Sequence, residues 1–269
     1  MAGADATGAP GAAAPRARRR ASDVRIEQQP GFVLHSYAWR ETSLIVEAFT
    51  RDFGRVALVA RGAKRPTSQF RGLLNPFSPL ALGWSGKGEI KSLVRVEWLG
   101  GLAPLRGDGL LAAFYLNELL VRLLPRGDAH PALFSAYLQT LHDLEGPGRP
   151  AHAQEAVLRA FELDLLREVG YAPPLEHCAD GEPVDPAGWY RVDPQRGLLV
   201  VHDRVDELCL RGSSLLALAR RELGDAQAAL AAADAKTLLR QLIRYHLNGQ
   251  PLNTRRIFQD LRRLETVAV

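Results

Sequence analysis

The stretch Ser43 to Ala60, SLIVEAFTRDFGRVALVA, is the part of the sequence that most clearly determines a fold. Leu44, Val46 and Ala48 occupy alternate positions, so they share one face of an extended strand. The residues RDFG at 51–54 are turn formers, and the apolar run VALV follows one residue later. Two apolar runs joined by such a turn predict a β-hairpin.

Further short strands are predicted on both sides of this hairpin. The apolar run at 32–34 precedes it and leads into a polar stretch. After it, the run at 79–84 ends at the glycine-rich turn SGKG, and residues 90–98 alternate again between two faces. About five short strands separated by turn signals predict a small antiparallel barrel.

The period of the apolar pattern changes after Gly100 and becomes helical. A short hairpin pattern at 188–201 interrupts the helices. The chain is therefore predicted to be α+β, with a barrel at 23–100 and a mainly α-helical domain at 101–269 that contains a small irregular insertion at about 171–205. Helices are predicted at 110–124, 130–144, 151–169, 215–223, 226–233, 236–247 and 254–264.

Composition limits the possible classes of protein. The chain has 269 residues, 46% of them hydrophobic, which is enough for a substantial core. No run of eighteen apolar residues exists, so no membrane span is expected. The N-terminus has no apolar segment typical of a secretion signal, and two cysteines are too few for a disulfide framework. We therefore expect a cytoplasmic protein.

Residues 1–22 consist mainly of Ala, Gly and Pro with a cluster of arginines, and they lack large apolar side chains beyond Met1. Such a segment buries too little surface to offset the entropy lost on ordering, which predicts a disordered basic tail. Its arginines can contact nucleic acid, and an organellar transit peptide has a similar composition. A solvated extension is the interpretation we adopt.

The formal net charge of +4 is divided unevenly along the chain. Residues 51–95 contain nine basic and two acidic side chains, and residues 236–263 contain seven and one. The segment between them, 96–235, carries a net charge of −9. A solvated surface would have interspersed signs, whereas separated charge of this kind indicates a polyanionic partner.

The segment 60–77, ARGAKRPTSQFRGLLNPF, contains four basic residues and no acid that could pair with them. Small barrels bind single strands in basic grooves where aromatic rings stack on bases. Phe70 either stacks in this way or anchors the loop in the core. The predicted DNA-binding residues are Arg55, Arg61, Lys64, Arg65, Phe70, Arg71, Lys87, Lys91 and Arg95.

The residues themselves resemble the RecO family of bacterial recombination mediators. The likeness rests on GFVLHSYAWRETSLIVEAFTRDFGRVALVARGAKRP, FRGLLNPFSPLALGWSGKGEIKSL, LDLLREVGYAPPLEHC and LLRQLIRYHLNGQPLNTRRIF, and it covers almost everything after the tail. It implies an oligonucleotide-binding barrel, a helical domain and no enzymatic activity. It also implies binding to single- and double-stranded DNA, annealing of complementary strands, and a nucleoid location. The implied protein partners are the acidic tail of single-stranded DNA-binding protein, RecR and, indirectly, RecA.

The second basic block can be assigned only in outline. Lys236, Arg240 and Arg244 are spaced so that they share one face of a helix, and Arg256 and Arg263 share a face of the next. This surface is expected either to receive the acidic tail of single-stranded DNA-binding protein or to extend the DNA track. The alternative is an ordinary solvated face.

The chain differs from many members of the RecO family at the position of a zinc site. Many family members carry CxxC and a second cysteine pair, but here Gly181 follows Cys178 three positions later and Cys209 stands alone. His177 and His202 are isolated, so we expect no metal and no cofactor. Asp52 and Glu89 are too few for a metal-dependent nuclease, which remains one alternative beside a protein-only adaptor.

Overall fold

The computed structural model describes residues 25–146, 151–202, 206, 208–222, 228–254 and 256–257. The predicted tail at 1–22 lies outside these residues, as do Arg263 and most of the helix predicted at 254–264.

Five strands form a closed barrel: β1 (Arg25–Trp39), β2 (Ser43–Thr50), β3 (Gly54–Ala60), β4 (Leu80–Ser85) and β5 (Ile90–Trp98). Their order around the barrel is β1-β2-β3-β5-β4. This confirms the predicted barrel, with one correction, because β3 and β5 pair in parallel. Each neighbouring pair in the series β3-β2-β1-β4-β5 is antiparallel. Because the series contains four such steps, β3 and β5 run in the same direction and meet in parallel where the barrel closes.

The barrel interior follows from the alternation in the predicted hairpin. Val46 pairs with Leu58 across β2 and β3, and both side chains are buried in the barrel core. Val33 and Trp84 enter the same core from β1 and β4. A change of register between Val33 and His35 lets the next residues of β1 face outward. The barrel therefore has a small core of its own.

The remainder is mainly helical, as predicted, with a three-stranded sheet as the insertion. The helices predicted at 226–233 and 236–247 are instead one helix, because no glycine or proline interrupts residues 228–246. The short strand Cys209–Arg211 was not predicted. The elements are α1 (Gly107–Leu123), α2 (Pro131–Asp143), α3 (Ala151–Glu168), β6 (Trp189–Asp193), β7 (Gly197–Val201), β8 (Cys209–Arg211), α4 (Gly212–Arg220) and α5 (Ala228–His246). None of the helices in the described part of the chain has the length and apolar character needed to cross a membrane.

Apolar contacts join the barrel to the helices. Phe32 of β1 packs its ring 5.5 Å from that of Phe134 and 5.2 Å from that of Tyr137. The buried Asn117 side chain donates to the Leu34 carbonyl oxygen at 3.0 Å. The helices therefore fix the middle of β1 and leave its last residues, 35–39, exposed.

Candidate nucleic-acid interface

The connection between β3 and β4, residues 61–79, begins beside the turn that joins β1 to β2. The Lys64 amide donates to the Thr42 carbonyl oxygen at 2.9 Å, and the Gly62 amide donates to Ser43 Oγ at 3.4 Å. We call residues 61–79 the basic connection. Its first residues are fixed to the barrel by their backbone, which leaves their long side chains free to project.

Phe70 is the apolar anchor of the basic connection. Its side chain is only 5% exposed and belongs to the barrel core, where Leu73 and Leu74 pack beside it. The ring therefore helps to close one end of the barrel. A base cannot reach a ring buried in this way, so the assignment of Phe70 as a DNA-stacking residue is wrong.

The cations of the basic connection are exposed, and the structure brings the first three together within one short turn. Arg61, Lys64 and Arg65 make no ion pair with a carboxylate of any described residue. Arg71 is also exposed and donates from Nη1 to the Pro66 carbonyl oxygen at 3.1 Å. Positive charge that is not paired with a carboxylate remains available for a polyanion.

Two further predicted cations lie at the start of β5. Lys91 pairs with Leu58 of β3 and is half-buried, and Lys87 is exposed in the turn before it. Neither forms an ion pair within the part of the chain that the structure describes. Since Leu58 precedes Arg61 by three residues, Lys91 lies roughly 10 Å along the strand from Arg61. Lys87 lies farther from Arg61, because β5 runs parallel to β3 and Lys87 precedes it.

Two predicted cations already have acidic partners. The assignment to DNA is corrected for Arg55, whose side chain is only 14% exposed, and stays a prediction for the exposed Arg95. Arg55 donates from Nε to the Leu124 carbonyl oxygen at 2.8 Å and from Nη1 to Glu47 at 2.9 Å. It faces outward from β3, where the helical domain covers the barrel. Arg95 is exposed but forms an ion pair with Glu97 on its own strand.

The two carboxylates considered for a metal-dependent enzyme are also engaged by arginines. Asp52 accepts hydrogen bonds from Arg51, and these bonds lower the pKa of the Asp52 carboxyl. Glu89 forms an ion pair with Arg126, which also pairs with Glu47. Both acids therefore have roles in holding turns.

Sequence reasoning missed an aromatic feature beside the basic connection. Tyr37 is 45% exposed and Trp39 is 44% exposed, on the same face of β1. The exposed Arg40 follows directly in the turn. The signal lies in HSYAW at 35–39, where ring-bearing residues alternate with small ones within a stretch that is otherwise polar.

The second basic block is only partly available for a partner. Lys236 Nζ lies 2.7 Å from Glu155 Oε1 of α3, so part of its charge is used in an ion pair between helices, and its role in partner binding stays a prediction. Arg240 and Arg244 are exposed on α5, and Arg256 is exposed beyond it.

The cysteine region does not fit a metal. Cys178 and Cys209 are buried free thiols. Burial, with the nearby charges of Asp180 and Glu182, raises the pKa of the Cys178 thiol, which disfavours the thiolate that zinc requires. Across the described ranges, no group of three or more His, Cys, Asp or Glu residues is arranged to hold a metal ion.

The fold and this surface define a class, namely a small oligonucleotide-binding-type barrel with a basic and aromatic end, fused to a helical domain. The family described as "Recombination protein O N terminal" matches residues 24–102, and "Recombination protein O C terminal" matches residues 105–256. The chain belongs to the recombination protein O family.

Curated relatives agree with this assignment. "DNA repair protein RecO" of Ralstonia nicotianae is 51% identical over 247 residues, covering 90% of this chain and 88% of the relative. The protein of the same name from Aromatoleum aromaticum is 50% identical, covering 89% of this chain and 98% of the relative. That from Burkholderia pseudomallei is 48% identical over 269 residues, covering 96% and 94%.

Proposed function

We propose that this chain is a non-enzymatic DNA-binding protein of DNA repair that acts as a recombination mediator. The observation that carries the proposal is the exposed trio Arg61, Lys64 and Arg65, held at one end of the barrel without ion pairs to described carboxylates. The relatives that match most of the chain are named DNA repair proteins, which supports the same assignment.

The chemistry of such a site is neutralisation of phosphate charge. Each cation that contacts a phosphate releases a counterion that was bound to the DNA, so the affinity falls as the salt concentration rises. In a plot of log affinity against log salt concentration, the slope is about −0.7 for each neutralised phosphate of a single strand. Neutralised strands repel one another less, which favours annealing of complementary strands. Arg71, Lys87 and Lys91 extend the same positive surface in this proposal.

The finer family functions are proposed for this chain by resemblance. They are binding of single and double strands, annealing, cooperation with RecR, and loading of RecA on DNA coated by single-stranded DNA-binding protein. Arg240, Arg244 and Arg256 are proposed to receive the acidic tail of that protein, because they are exposed on and after α5. The division into 23–100 and 101–269, the cytoplasmic and nucleoid location and the absence of a cofactor belong to the same proposal.

Charge reversal tests the proposed site. In the Lys64→Glu/Arg65→Glu variant, we expect weaker binding to both single strands and duplex, because two phosphate contacts are lost. The salt slope should become shallower by about one to two units. Fluorescence anisotropy of labelled DNA at several salt concentrations measures both quantities.

Arg220→Glu is the matched control, because Arg220 is exposed on α4, away from the barrel. It changes net charge by the same amount per residue and should alter the slope little. Equal effects of reversal at both places would contradict the proposed site. Loss of labelled strands on incubation with magnesium would contradict a non-enzymatic mediator, whereas faster duplex formation without ATP would support it.

A further inference from the structure

The last residues of β1 form an exposed arm with one ring on every second position. Within the described residues, β4 pairs with β1 no further along than Gly31, whereas β2 continues to pair with β1 as far as Trp39. His35, Tyr37 and Trp39 point to the same face of this arm because side chains alternate along a strand. We call these three residues the aromatic row.

The aromatic row is held in place at both ends. At its root, the buried Asn117 side chain donates to the Leu34 carbonyl oxygen, and the His35 ring meets the Tyr37 ring edge-on at 4.5 Å. At its tip, Trp39 pairs with Ser43 of β2. The Ser43 Oγ accepts a hydrogen bond from the Gly62 amide of the basic connection. The backbone of Trp39 therefore lies about one strand spacing, roughly 5 Å, from that of Ser43.

We propose that Tyr37 and Trp39 stack with the bases of unpaired DNA, so that the site favours single strands over duplex. The proposal rests on the proposed DNA-binding function and adds to it a preference for one class of substrate. Phosphates of either form can reach the cations. Only a single strand can turn the faces of its bases toward the rings, because in a duplex those faces are covered by stacking.

The spacing of the two rings favours this substrate. Residues two apart on a strand are separated by roughly 7 Å, which is about twice the 3.4 Å rise per base along a duplex strand. Successive bases must therefore separate before both rings can be used. Arg40 and Lys64 lie beside the row, where they can hold the phosphates of a strand opened in this way.

Exposure alone does not make an aromatic residue a binding residue, and Trp98 shows the difference. It is 64% exposed at the end of β5, but its strand neighbour Glu97 is acidic and already pairs with Arg95. Strand β5 carries no second ring, and the cation nearest to Trp98 along it, Arg95, is the one paired with Glu97. It serves as the matched control for Trp39.

The test compares Trp39→Ala, Tyr37→Ala and Trp98→Ala in the full chain. Binding is measured with an oligothymidine strand and with a duplex of equal length. We expect each row variant to bind the single strand about tenfold more weakly, since stacking contributes at this level for each base. Duplex affinity and the salt slope should stay near those of the unchanged protein, because no phosphate contact is lost.

Two further measurements guard against a general loss of structure. Trp39→Phe keeps an aromatic face and should retain most single-strand affinity. The unchanged protein should bind an abasic single strand more weakly than Trp39→Ala binds oligothymidine, because the abasic strand loses the stacking on both rings whereas the variant loses one. If the row variants bind the single strand normally, or lose single-strand and duplex affinity equally, the stacking proposal is overturned. The Lys64→Glu/Arg65→Glu variant tests the proposed DNA-binding function separately, so failure of that function can be distinguished from failure of the stacking proposal.

Discussion

Glu47 shows how one buried charge links the two parts of the molecule. Its side chain is 2% exposed, and its carboxylate accepts hydrogen bonds from both Arg55 and Arg126. Arg126 extends the link to Glu89 in the turn before β5. A carboxylate removed from water is tolerated only with such partners. We infer that this cluster fixes the barrel against the loop between α1 and α2.

Removal of the Glu47 carboxylate is therefore expected to be costly. Glu47→Ala leaves the guanidinium group of Arg55 largely buried without its counter-charge, and we expect a loss of about 3 kcal/mol in the free energy of unfolding. Urea unfolding followed by circular dichroism measures the loss. Glu97→Ala, which breaks the exposed pair with Arg95, is the control and should cost less than about 1 kcal/mol. Equal costs for the two variants would contradict the inferred role.

The limits of the sequence are clearest at single residues. Arg55 and Arg61 lie six positions apart and look equivalent in the sequence, but one is paired with Glu47 and the other is exposed. The difference depends on Leu124 and Glu47, which only the folded chain brings to Arg55. The sequence shows where basic residues accumulate. Whether each of them is paired with an acid depends on tertiary contacts, which the sequence does not show.

Among the elements, the basic connection has to close the barrel and present cations together. Successive turns fold it, with the Ser68 amide donating to the Arg65 carbonyl oxygen and the Arg71 amide donating to that of Ser68, both at 3.1 Å. Phe70 enters the core between these polar residues. Burying one large ring thus orders a segment that is otherwise rich in exposed charge.

Phe70→Ala separates the structural role from a binding role. We expect a loss of about 3 kcal/mol in the free energy of unfolding, because a large buried ring is removed and a cavity remains. The folded variant should still bind DNA nearly as well as the unchanged chain at low temperature. Thermal unfolding and anisotropy titration measure the two properties. A large loss of affinity in a fully folded variant would show that Phe70 contacts DNA after all.

Most elements could be predicted from periodicity because their apolar faces are regular. The hairpin at 44–59 is correct since both strands alternate into the same core. The short strand β8 was missed because three residues carry no measurable period. Helix α5 was divided wrongly at Asp234, a residue of modest helix propensity that packing against α3 and α4 overrides.

At the scale of the whole molecule, the helical domain and the cations occupy different ends of β2. Phe49 at one end packs with the helical core, and Ser43 at the other contacts the basic connection. Six residues of strand separate them by roughly 20 Å. The acidic middle of the sequence therefore does not neutralise the trio Arg61, Lys64 and Arg65 by contact within the described residues.

The most direct test of this account is a map of where a single strand lies on the full chain. An oligonucleotide with photoreactive iodouracil is cross-linked to the protein, and the attached peptides are identified by mass spectrometry. We predict cross-links in residues 35–42 and 61–72, which contain the aromatic row and the basic connection. Cross-links confined to the helical domain, with none in these two segments, would contradict the account.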